Sequence, residues 1–180
     1  HRNILCGRHP EYFSEDPILT GTLMAYQARG LEENGVIATY KHLTANNMEF
    51  ERKSAHGIID ENTLRDLYLR VFDKAFSLYK PGCVMTSYNP ANGIYPCENS
   101  ALLNDLLRGE WGFDGFVMTD WGSYDTADSI RSVCAGTNLL TPGSKKHFRM
   151  ILKAVKRNEI SKAALQHSVK QIVKVLVRCI

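Results

Sequence analysis

Short apolar runs alternate with helix-length amphipathic stretches along almost the whole chain, and this alternation limits the possible folds more than any other feature. VIATY (36–40), CVMTS (83–87), GFVMT (115–119) and TNLL (137–140) have the length and composition of buried strands. Helical spacing fills the intervals. Residues 20–34 form one such stretch. In a second, capped by Asp60, the residues Leu64, Leu67, Tyr68, Val71, Phe72, Ala75 and Phe76 fall on one stripe. ALLNDLLRG is a third, started by Ser100 and ended with help from Gly109 and Gly112. A helix near 125–135 follows, and two more, 144–157 and 161–178, meet at Asn158 and Ser161. Strands separated by helices must run parallel, because each crossover returns the chain to the same end of the sheet. The architecture is then either an open doubly wound sheet or a (β/α) barrel. No GxGxxG and no glycine-rich phosphate loop follows a strand, which favours the barrel. About four strand–helix units are visible, where a closed barrel has eight in roughly 250 residues. The expected object is therefore an open part of a barrel with an exposed sheet edge. The opening HRNILCGR starts in mid-motif, as a piece of a longer sequence would.

Composition narrows the function. Net charge is only +3, and the basic segment KKHFRMILKAVKR interleaves apolar residues at helical spacing, as a solvated helix face does; no nucleic-acid partner is expected. No apolar run is long enough to span a membrane, and no signal peptide is visible. Five cysteines, an odd number without metal-site spacing, argue against a disulfide framework and favour a reducing, cytoplasmic compartment.

In barrels, chemistry gathers at the carboxyl ends of the strands. Here VIATY leads into Lys41-His42, CVMTS into Tyr88-Asn89, and GFVMT into Asp120-Trp121. With Asn46 and Asn47 nearby, these endings combine many hydrogen-bonding groups with flat apolar rings, a mixture suited to a sugar. Asp120, near the cations Lys41 and Arg52, would stay ionised and serve as a nucleophile. The same carboxylate could instead cap the next helix or pair with a lysine.

Four stretches carry a resemblance to a known family: GRHPEYFSEDPILTG (7–21), KHLTANNMEFER (41–52), SYNPANGIYPCENSALLNDLLRGEWGFDGFVMTDWG (87–122) and AGTNLLTPG (135–143). In this order they resemble the N-terminal barrel domain of the family-3 glycoside hydrolases. The resemblance implies an α/β fold that is the later part of a (β/α)8 TIM-type barrel with parallel strands. Residues 1–143 would be the partial barrel carrying the nucleophile, and 144–180 its closing helices. It further implies Asp120 as catalytic nucleophile, with Arg8, Lys41, His42 and Arg52 binding sugar hydroxyls, Tyr88 against the nucleophile and Trp121 lining the pocket. Glu15, Asp16 and Glu49 would be structural.

The implied activity is release of non-reducing terminal β-D-glycosyl residues, glucosyl foremost, from a β-linked oligosaccharide or glycoside by double displacement. It needs no metal and no cofactor. The acid/base glutamate would come from a C-terminal α/β domain outside this chain; Glu98 and Glu110 match no such motif. His9-Pro10 departs from the usual asparagine and aromatic pair, which bears on the loop holding Arg8. The Lys-His pair leads into LTANNME rather than the KHFPGHG of the N-acetylglucosaminidase branch, so His56 reads as a surface loop residue. Two other readings remain: a catalytically inert sugar-binding or assembly fragment of such an enzyme, and a Schiff-base aldolase using Lys41.

Overall fold

A computed structural model of the protein describes residues 3–179 and the side chains of 3–178. Strands β1 (Thr39–Leu43), β2 (Cys83–Thr86) and β3 (Phe116–Thr119) form a parallel sheet in that order. Helix α1 (Pro17–Glu32) precedes β1. The β1–β2 crossover is one helical run: α2 (Glu61–Thr63), a π-helical stretch (Leu64–Leu69) and α3 (Arg70–Leu78). A π-helix (Ala101–Glu110) links β2 to β3, and α4 (Ser129–Ala135), α5 (Lys145–Lys156) and α6 (Lys162–Leu176) follow. Strands alternating with helices in one parallel sheet are the architecture of a (β/α)8 barrel segment.

Helix starts follow local capping chemistry. Asp16, Asp60, Asp128, Ser144 and Ser161 each accept a backbone N–H in the first turn of the helix that follows. At the π-helix the cap is not Ser100 but Asn99, whose Oδ1 accepts from the Leu102 N–H at 3.0 Å. The helix expected near 125–135 starts later, at Ser129, after a 3-10 turn over Ser123–Asp125.

The core lies between α1, α3, the π-helix and the sheet. Tyr40, Val84 and Val117 enter it from the three strands, and Leu103 and Leu107 from the π-helix. Phe76 packs against Trp111 at 5.4 Å, Tyr40 at 5.3 Å and Phe113 at 5.7 Å between ring centroids, two of the pairs edge-on. Val175 of α6 packs in a second cluster with Cys83 and Phe116, at the amino ends of β2 and β3. There Gly82 and Gly115 come so close that a Cβ on Gly115 would lie 2.2 Å from the Gly82 carbonyl oxygen.

Two strand expectations are corrected. The first strand is Thr39–Leu43 rather than 36–40. The Val36 N–H donates to the Leu31 carbonyl and the Ala38 N–H to Glu32 Oε1, so the helix end and a side chain hold groups a strand would use. Lys41 and His42 consequently sit inside β1 rather than behind it. TNLL is no strand; it makes one parallel bridge, Met118 to Leu139. Asn138 takes the place of a neighbouring strand's backbone. Its Oδ1 accepts from the Val117 N–H at 2.7 Å and from Arg108 at 2.9 Å, while the Asn138 and Leu139 N–H groups share the Val117 carbonyl.

Candidate active site

The site forms where β1 is irregular. Tyr40 pairs with Val84 and Leu43 with Thr86, so Lys41 and His42 together face the single residue Met85. Such a bulge re-aims side chains at a strand end. The Lys41–His42 and Leu43–Thr44 peptide bonds are both cis. The loop beyond is tied to β2: Ser87 donates to the Thr44 carbonyl at 2.6 Å and Asn89 to the Ala45 carbonyl at 2.8 Å.

Asp120 follows β3 directly and is 7% exposed. Oδ1 accepts from the Trp121 N–H at 2.6 Å. The carbonyl of Asp120 accepts from both the N–H and the hydroxyl of Ser123. Gly122, at φ +83°, turns the chain so that its N–H reaches the Thr141 carbonyl at 2.8 Å. Asp120 Oδ2, by contrast, is buried with no hydrogen bond among the described residues. Its near neighbour is His42 Nε2 at 3.3 Å. Burial lowers the His42 pKa, outweighing the opposing pull of Asp120, so the ring is neutral at neutral pH.

The remaining residues singled out in the sequence surround this pair. The Tyr88 hydroxyl donates to the Trp121 carbonyl and lies beside the Asp120 carboxylate. Burial, and then the charge of Asp120, push the phenol up to about 12. The Arg52 guanidinium lies over the Tyr88 ring, 4.5 Å from its centroid, and bonds Glu49 at 2.7 Å. Arg8 bonds Glu11 at 2.5 Å, and its Nε stands 3.8 Å from Glu49 Oε1. Lys41 bonds the other oxygen of Glu11 at 2.5 Å. Arg8 thus joins the cluster despite the unusual His9-Pro10, which forms part of a 3-10 turn, His9–Glu11. Trp121 is the outlier, a residue 63% exposed. Asp16 caps α1, Glu49 braces two arginines, and His56 is exposed on its loop.

One expectation about electrostatics is corrected. Among the described residues neither Lys41 nor Arg52 forms an ion pair with Asp120; Glu11 and Glu49 engage them instead. Glu11 and Tyr12 are site residues that sequence reasoning passed over. Burial raises the Glu11 pKa, but hydrogen bonds from Arg8 and Lys41 prevail and bring it down to about 2. The Arg8/Glu11 spacing of i, i+3 was a readable sign of that pair. A hollow of about 910 Å³, open to solvent, adjoins the cluster and is lined by Glu11, Tyr12, Lys41, His42, Met24 and Val71, but not by Asp120.

Several buried polar atoms here make no hydrogen bond among the described residues: Asp120 Oδ2, Arg8 Nε, Glu49 Oε1 and Asn89 Oδ1. Buried polar atoms cost free energy unless bonded, so donors and acceptors left together mark a place for a ligand that both gives and accepts hydrogen bonds. The fold and this cluster define a parallel (β/α) barrel segment with a polar site at the carboxyl ends of its strands.

The chain belongs to glycosyl hydrolase family 3: residues 2–175 match the model of the "Glycosyl hydrolase family 3 N terminal domain". It is 42% identical to thermostable beta-glucosidase B of Acetivibrio thermocellus over 97% of this chain and 23% of that protein. It is 39% identical to the probable beta-glucosidase J of Aspergillus fumigatus, over 97% and 20% respectively. Beta-glucosidase 3B of Thermotoga neapolitana, solved in complex with glucose, superposes with a TM-score of 0.93 at 41% identity, covering 99% of this chain and 26% of that one. The chain thus spans about a quarter or less of the length of these relatives.

Proposed function

We propose that this chain carries the nucleophile half of a retaining β-glycosidase active site, acting on terminal β-D-glucosyl residues. The observation that carries this reading is Asp120 Oδ2: a buried carboxylate oxygen without a hydrogen bond, at a strand's carboxyl end, 3.3 Å from a buried imidazole. In the proposed reaction Oδ2 attacks the anomeric carbon, the bond to the leaving oxygen breaks, and a glycosyl ester forms on Asp120. A glutamate from a further α/β domain protonates the leaving oxygen, then takes a proton from the water that cleaves the ester. Arg8, Lys41, His42 and Arg52 hold ring hydroxyls. Tyr88 holds the backbone beside the nucleophile through the Trp121 carbonyl, and Trp121 offers its indole as an outer wall. Residues 1–143 make the nucleophile-bearing part of the barrel, and 144–180 close the same domain.

The aldolase reading fits poorly. Schiff-base chemistry needs a free amine, and Lys41 is held in an ion pair with Glu11. The inert-fragment reading concerns this chain apart from its partner domain, so the nucleophile assignment is tested on the full-length protein. Treating that protein with an activated 2-deoxy-2-fluoro-β-glucoside, and mapping the adduct by mass spectrometry, is expected to place the sugar on Asp120. Turnover of an aryl β-glucoside with the label on another residue would overturn the assignment. Glucose binding by this chain alone, without turnover of any aryl β-glycoside, would favour the inert fragment.

A further inference from the structure

His42 makes a contact on its far side that the proposed chemistry does not use. The Tyr12 hydroxyl lies 2.8 Å from His42 Nδ1. The two rings stand 6.1 Å apart and are tilted by 57°, so the phenol meets the edge of the imidazole rather than its face. The contact links residues 30 positions apart and is partly buried. Tyr12 follows directly on the turn that holds Glu11 against Lys41, so the segment before α1 supports both members of the Lys-His pair.

A neutral imidazole carries one proton, and the hydrogen bond at one nitrogen decides where the other points. Two arrangements are possible. With the proton on Nδ1, His42 would donate to the phenol oxygen, and the bare lone pair of Nε2 would face Asp120 Oδ2 at 3.3 Å. Two acceptors would then confront each other in a buried site, which is repulsive. With the proton on Nε2, the phenol donates to Nδ1 and an N–H dipole faces the carboxylate. Only this second arrangement gives Nδ1 a donor and sets an N–H dipole, rather than a second lone pair, beside Oδ2.

We propose that Tyr12 is a positioning residue: its hydroxyl donates to His42 Nδ1 and holds the imidazole in the tautomer whose Nε2–H faces Asp120 and the sugar beside it. The part concerning the sugar rests on the function proposed above; the tautomer does not. The ring is kept neutral by burial, so the choice of tautomer persists at neutral pH. Tyr12 itself keeps its proton, since burial raises its pKa.

The test uses the full-length protein labelled with 15N-histidine, with Tyr12→Phe beside it. Ring nitrogen shifts distinguish N–H from bare nitrogen. In the wild type, His42 is expected to show a protonated Nε2 and a bare Nδ1. Tyr12→Phe is expected to give a mixture or the opposite tautomer, with kcat/KM on an aryl β-glucoside about tenfold lower, the equivalent of one neutral hydrogen bond. Introduced into a His42→Ala background, Tyr12→Phe is expected to add nothing, because its effect passes through the imidazole. A wild-type His42 protonated at Nδ1, or an unchanged tautomer in Tyr12→Phe, overturns the proposal, as does an equal loss in both backgrounds. The two readings fail separately. Loss of the Asp120 adduct with the expected tautomer sinks the glycosidase and leaves Tyr12 in its role. The adduct with the wrong tautomer does the reverse.

Discussion

Glu32 and Asp120 are carboxylates at opposite ends of the same sheet, and their surroundings differ in kind. Glu32 ends α1 at the amino ends of the strands. Its Oε1 accepts from the Gly82 N–H at 2.6 Å and the Ala38 N–H at 3.1 Å, and its Oε2 accepts from the Tyr79 hydroxyl at 2.9 Å. Both oxygens are used, and each partner fixes the backbone leading into β1 or β2. Asp120 sits at the carboxyl ends, more deeply buried, with Oδ2 unbonded. An unbonded buried acceptor costs about 1–3 kcal/mol. One end of the sheet is thus arranged for stability, while the other holds an oxygen away from the partners that would quiet it. In barrels, residues at the amino face serve stability and those at the carboxyl face serve chemistry. On the function proposed above, this contrast is the same division at the level of single hydrogen bonds.

The largest effect expected from breaking the contrast is at Asp120. Asp120→Asn in the full-length protein removes the attacking oxygen while preserving shape, and turnover is expected to fall by about 10³-fold or more. Its thermal midpoint is expected to hold or rise, because the variant no longer buries an unbonded carboxylate oxygen. Turnover near that of the wild type, in protein shown to be free of deamidation, would remove the basis for the proposed mechanism. Glu32→Ala is the mirror experiment. Losing three hydrogen bonds to a carboxylate is expected to cost about 2–4 kcal/mol in a urea titration, with adduct formation at Asp120 unchanged in the folded protein. A drop in labelling larger than the drop in folded fraction would show that the two ends are coupled.

The same contrast explains what could be read before the fold was seen. The alternation of strands and helices was legible because it is periodic, and Asp60 was legible as a cap because capping is local. That Asp120 and its companions lie together could be expected because strand ends in a barrel converge. The bounds of β1 could not be read, since Glu32 captures the Ala38 N–H through a side chain and Gly82 lies 50 residues from that carboxylate. TNLL looked like a strand, but Asn138 answers the Val117 N–H with an amide oxygen, a substitution that apolar patterning does not register. Glu11 and Tyr12 escaped notice because they act across 30 residues, on Lys41 and His42. The π-helical geometry of Ala101–Glu110 has no signature in its leucine spacing, which reads simply as helix.

A smaller test concerns His42. Burial lowers its folded pKa below the ordinary 6.5. Below 6.5 the unfolded chain therefore binds a proton that the folded chain refuses, and stability falls as pH drops through this range toward the folded value. The slope contributed by a single group reaches at most about 1.4 kcal/mol per pH unit. His42→Asn is expected to flatten that limb while leaving stability above 6.5 little changed in slope. An unaltered limb in the variant would mean the imidazole is solvated or already charged in the native protein.

The smallest expected effect is at Glu11, which sits with the chemistry by position yet resembles Glu32 in being fully engaged. Arg8 and Lys41 overcome the cost of burial and bring its pKa from 4.5 to about 2. The sign is that of a depressed carboxylate: its contribution is present above 4.5 and is lost as pH falls from there toward about 2. The pair is partly exposed, with Glu11 at 31% and Lys41 at 37%, so solvent screening limits the effect on stability to less than about 1 kcal/mol. Glu11→Gln is expected to remove this acid-range component and to raise KM for an aryl β-glucoside more than it lowers kcat, because it frees Lys41 and Arg8 from their places without touching Oδ2. If kcat fell instead, with KM unchanged, Glu11 would belong with Asp120 among the groups that act only as the bond breaks. The division between a quiet end and a poised end would then have to be redrawn inside the site itself.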